Sequence, residues 1–92
     1  MKDCSNHKRD IAGISDMKEL AKMIGDLHYE TLAEFLSHLT DKIYGDGTKD
    51  RMAGRNKLGY ELQAASSHLS LARKFIEEAW LISKPFMTAD EK

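Results

Sequence analysis

Valine is absent from the 92 residues, and proline and cysteine occur once each, at Pro85 and Cys4. Strands favour β-branched and aromatic residues, so a chain without valine and with 8% aromatics is poor sheet material. A lone cysteine forms no internal disulfide and no cysteine-based zinc site. No apolar run approaches the roughly 20 residues that a membrane span requires, and the charged first twenty residues do not resemble a secretory signal. Neither sign of charge dominates: 14 basic and 15 acidic residues leave a net charge of −1. That balance excludes a general coat for DNA or RNA, which needs an excess of Lys and Arg along one face.

What is present is helix material. Leucine occurs ten times and alanine nine, amid 32% charged residues, a composition that points to an all-α, globular fold. A domain this small buries only about 60–65% of its unfolded surface, so association with further copies is expected to supply what one chain lacks.

Residues 1–14 are polar around Ile11, Ala12 and Ile14 and read as an N-terminal segment with a possible short helix. Asp16 followed by Glu19 makes a capping box. From there Met17, Leu20, Ile24, His28, Leu32, Phe35, Leu39 and Ile43 recur at the helical period, and Gly45 is the expected stop. The glycine-rich, charged stretch 45–57 reads as the turn. Leu58, Leu62, Ala65, Leu69, Ala72, Ile76, Ala79 and Ser83 alternate steps of four and three, a heptad seam that Pro85 ends. The expected architecture is an antiparallel helical hairpin over 15–85, with a polar tail over 86–92. A second apolar line, Ala64, Leu71, Phe75 and Ile82, flanked by Trp80 and Leu81, has no partner in one hairpin and predicts an oligomer.

Catalytic and metal chemistry find little foothold. No two of His7, His28, His38 and His68 stand at i, i+4, and no His-Glu-x-x-His occurs. His28 and His68 fall on or beside apolar faces, as hydrogen-bonded core histidines do. Ser66, Ser67 and Ser70 neighbour His68 in sequence but point to different helix faces. The expectation is a protein without enzymatic activity, metal or cofactor. The cations are more telling. Lys22 lies one turn from Lys18, and Arg73 follows Ala72 at the border of an apolar face, where a guanidinium is expected to hold an anion, either Glu77 at i+4 or a ligand phosphate.

Asn6-His7-Lys8, Lys22-Met23-Ile24-Gly25 and Leu71-Ala72-Arg73-Lys74-Phe75-Ile76-Glu77-Glu78-Ala79-Trp80 together resemble the small phage anti-CBASS sponges. These helical hairpins capture the cyclic oligonucleotides of bacterial anti-phage signalling. The resemblance implies that Lys22 meets a cyclic-dinucleotide phosphate. It places His7 where the family has a base-stacking tyrosine, and Lys8 where an arginine stands beside it. Arg73, with Lys74 at a position that is often threonine, matches a second, cyclic-trinucleotide site between protomers. It further implies a compact homo-oligomer, often a hexamer, working in the cytoplasm of the infected host, with no DNA, RNA or membrane partner. The competing expectation is a hairpin that docks its apolar face on a host or phage protein.

Overall fold

A computed structural model describes residues 7–86, so Cys4, Asn6 and most of the expected polar tail lie outside the described residues. Helix α1 spans Met17–Gly25, α2 spans Tyr29–Met52 and α3 spans Asn56–Ser83, followed by a 3-10 turn at Lys84–Phe86. No strand occurs among the described residues, and the two long helices pack against each other.

One half of the expected capping box forms at the start of α1, and the Glu19 carboxylate turns to Ser15, one residue before the cap Asp16. Asp16 Oδ1 accepts the Glu19 amide at 2.7 Å, and Glu19 reaches back to the amide and hydroxyl of Ser15 at 3.0 and 2.5 Å. These two bonds hold the Glu19 carboxyl below its ordinary pKa. Residues 11–14 make a tight turn, with the Ile14 amide donating to Ile11 O at 3.1 Å and Gly13 at φ 87°. The helix expected within residues 1–14 is not formed over residues 7–14.

Two boundaries differ from the sequence reading. The first long helix is not continuous, because it breaks after Gly25, and His28 restarts it. The His28 Nδ1 accepts the Glu30 amide at 3.2 Å, making an imidazole the cap of α2. The turn is also shorter than 45–57, since α2 runs through Gly45 and Gly47 to Met52 and the reversal occupies only residues 53–55. Gly54, at φ 88°, makes that reversal. Its amide bonds Arg51 O at 3.0 Å and the Arg55 amide bonds Asp50 O at 2.8 Å, a Schellman motif that satisfies the last carbonyls of α2.

Gly47 stays in the helix because the crossing needs its missing side chain. A Cβ there would lie 2.9 Å from Gly59 O and 2.8 Å from Gln63 Cγ, and one on Gly59 would lie 2.6 Å from Gly47 O. Two backbones in direct contact make this the closest approach of the hairpin. Stepping outward by sevens pairs Thr40 with Ser66 and Ala33 with Arg73, and Ala33 and Ser66 are both buried. Each seam hydroxyl bonds its own helix, Thr40 to Leu36 O at 2.7 Å and Ser66 to Gln63 O at 2.8 Å.

The seam of α3 is therefore Gly59, Leu62, Ser66, Leu69, Arg73, Ile76, Trp80 and Ser83, all buried or half-buried. Leu62, Leu69, Ile76 and Ser83 stand where the heptads place them, whereas Ala65 and Ala72 are exposed. Apolar character alone does not select this face, since Ser66 and Arg73 lie in it while Ala65 and Ala72 do not. The result is a thin body, 14 Å along its shortest axis. No side chain among the described residues is completely buried, and Leu71, Phe75, Leu81, Ile82 and Phe86 are 48–77% exposed.

Candidate functional site

The expected site residues fall in three separate places. His7 and Lys8 belong to the N-terminal arm that precedes α1, and both are exposed. Lys8 lines a shallow depression of about 450 Å³ with Arg9, Asp10, Ile11, Ala12 and Met17. The depression offers two cations and one carboxylate against a small apolar floor, which suits a singly or doubly charged anion. Arg9 is the member that sequence reasoning passed over as a site residue. Its position beside Lys8 in a basic arm was the available signal.

Lys22 is not part of that lining. It lies on the last turn of α1 with its side chain 80% exposed, and its Nζ stands 3.5 Å from Asp26 Oδ2. A lysine this exposed keeps its shell of water and its freedom to swing, so the Asp26 contact contributes little. Lys22 is accessible to an anion, but among the described residues no second wall encloses it.

Arg73 is placed differently. It is a seam residue, not a border residue, and the small side chain of Ala33 opposite leaves room before it. That room is a groove of about 490 Å³ lined by Glu30, Ala33, Glu34, Ser37, His38, Arg73, Glu77, Trp80 and Leu81. The Arg73 Nη1 donates to Glu77 Oε2 at 2.6 Å, with the arginine side chain 28% exposed. His38 Nε2 lies 3.8 Å from Glu34 Oε2. The Trp80 indole meets the His28 ring edge-on at 4.3 Å between centroids, and Lys84 Nζ lies 5.9 Å from its centre. Lys74, next in sequence, is exposed and lines neither cavity.

The groove thus combines a guanidinium and an indole with three carboxylates around them. Trp80, Glu30 and Glu34 escaped the sequence reading as site residues. The register that pairs Ala33 with Arg73 would have found them, but it depends on the glycine crossing, which only the packed structure reveals. His28 proves half-buried against Trp80, as its apolar position suggested, while His68 is exposed. No group of three or more His, Cys, Asp or Glu among the described residues is arranged to hold a metal ion, and no helix is long and apolar enough to cross a membrane. The chain matches no family model, no curated protein and no solved structure.

Proposed function

We propose that this protein is a phage-encoded, non-enzymatic sponge that captures cyclic di- and trinucleotide second messengers in the cytoplasm of an infected bacterium. The observation that carries the reading is Arg73. A cation half-buried in a helical seam, opening onto a groove that also presents Trp80, supplies a phosphate contact and a base-stacking surface side by side. The residues shared with the anti-CBASS sponges give the ligand class. The N-terminal arm and Lys22 form the cyclic-dinucleotide site, completed by a second copy around a twofold axis, which suits a near-symmetric ligand. Arg73 and Lys74 serve the cyclic trinucleotide. The exposed line of Leu71, Phe75 and Ile82 is the surface through which copies assemble into a homo-oligomer, a hexamer in this reading.

Calorimetric titration with a panel of cyclic di- and trinucleotides tests this, followed by heating and recovery of the ligand. Capture followed by return of uncut ligand is the expected result, and linear products at rates well above buffer would make the protein a phosphodiesterase instead. Lys22→Ala removes one charge-assisted contact, about 10- to 150-fold per site, and is expected to abolish measurable cyclic-dinucleotide binding. A Lys22→Ala protein that binds every ligand like its parent overturns the assignment at its best-matched residue.

The second reading is a hairpin that docks its apolar line on another protein. Glu30, Glu34 and Glu77 around Arg73 favour it, because carboxylates repel an anionic ligand. A protein that binds no cyclic nucleotide at all would move that reading ahead.

A further inference from the structure

Arg73 is already engaged before any ligand arrives. Its Nη1 is held by Glu77 at 2.6 Å, one turn along the same helix. A carboxylate and a phosphodiester present the same kind of acceptor oxygen to a guanidinium, so Glu77 holds the Nη1 donor and its charge opposes a phosphate at the remaining N–H groups. Both side chains are anchored on α3 at i and i+4, which keeps the carboxylate at high effective concentration wherever the guanidinium moves. Glu30 and Glu34 line the same groove, yet only Glu77 is bonded to the arginine.

We propose that Glu77 is a built-in competitor for Arg73, a stand-in for ligand phosphate that sets the affinity threshold of this groove. The proposal rests on the sponge reading and adds its regulation. While the Arg73–Glu77 pair is closed, a phosphate meets an arginine whose Nη1 is taken and whose charge is partly neutralised, and the apparent affinity falls with the closed fraction. Ligands with a single weak phosphate contact then stay below their working concentration. A cyclic oligonucleotide that adds stacking on Trp80 and contacts from a neighbouring copy rises above it. The carboxylate lowers affinity for all anions alike, so what it provides is a threshold and not a preference among strong ligands.

Glu77→Gln tests this cleanly, because it removes the charge and keeps the size of a side chain that is 48% exposed. Titrated with cyclic triadenylate, the variant is expected to bind about 2- to 5-fold more tightly than its parent, the range of one partly exposed ion pair. Glu30→Gln makes the same charge change in the same groove without touching Arg73 and is expected to give a smaller gain. In an Arg73→Ala background the Glu77→Gln gain should vanish. Equal affinity for parent and Glu77→Gln, with Arg73→Ala still weakened, overturns the competitor and leaves the sponge standing. An equal gain from Glu30→Gln, or a gain that persists without Arg73, reduces the effect to the field of the groove and also overturns it. If neither parent nor variant binds any cyclic di- or trinucleotide while both keep the same mass in solution, the sponge reading and the competitor fall together.

Discussion

The two ends of the hairpin are built on opposite plans. At the tip the backbones touch through Gly47 and Gly59, and side chains cross between helices. Gln63 bonds Thr48 at 3.1 Å, and Arg51 bonds Gln63 at 2.9 Å and Tyr60 at 3.1 Å while its guanidinium lies 4.2 Å from the Tyr60 ring centre. At the open end the polar side chains bind within their own helix, Arg73 to Glu77 and His38 to Glu34. There the large apolar residues face outward: Phe75, Leu81, Ile82 and Phe86 are each more than half exposed. The tip is tied by contacts between its helices, although Tyr44, Met52 and Tyr60 are also more than half exposed there, and the open end carries the groove.

The largest expected effect attacks the outer apolar line that runs from mid-α3 to the open end. Leu71→Glu puts a charge on the outer line, costly only if another copy covers it. Light scattering should show the parent as a dimer or larger and the variant shifted toward about 10 kDa, with helix content unchanged. A parent that scatters as a single chain at micromolar concentration removes the oligomer, and with it the sites shared between copies.

At the tip, Gly59→Ala drives a methyl into Gly47 O and the Arg51 backbone. Overpacking costs about 1–3 kcal/mol, partly offset by about 1 kcal/mol of helix propensity. Gly45→Ala, in the same helix as Gly47 but with nothing within 4 Å of its Cβ, should instead gain about 0.5–1 kcal/mol. Urea midpoints of opposite sign for the two variants would establish the crossing. Equal stabilisation by both would show that the helices do not meet there.

Those glycines also explain what was and was not legible. Helix α3 and its end before Pro85 follow from periodicity and from the missing proline amide, and the Asp16–Glu19 cap was readable because its chemistry is local. The extent of α2 was not, since three glycines within 45–54 look alike in sequence. One is an exposed helix residue, one a packing contact and one the true turn. Periodicity also ran straight across the break at Gly25, because His28 occupied an apolar step while serving as a cap. For the site, the cations were visible as residues, but the groove that makes Arg73 different from Lys22 arises from register, which no window of sequence contains.

The smallest expected effect lies in α1. Folding lowers the Glu19 pKa, chiefly through the Ser15 hydroxyl and then its amide. A depressed carboxyl stabilises above its unfolded value, here near 4.5, and that contribution is lost as pH falls through the lowered folded value. Acidification through that range should fray the start of α1 before it disturbs the hairpin. Ser15→Ala should raise the Glu19 titration, followed by carboxyl NMR, toward that of a free glutamate.

The glycine crossing is also a fulcrum. Ala33 lies 14 residues from Gly47, about 21 Å along the helix at 1.5 Å per residue. A tilt of about 5° at the crossing therefore moves Ala33 by about 2 Å relative to Arg73, enough to admit or exclude a flat ring. The width of the groove is thus tied to the angle at which Gly47 and Gly59 cross, residues that line no part of it.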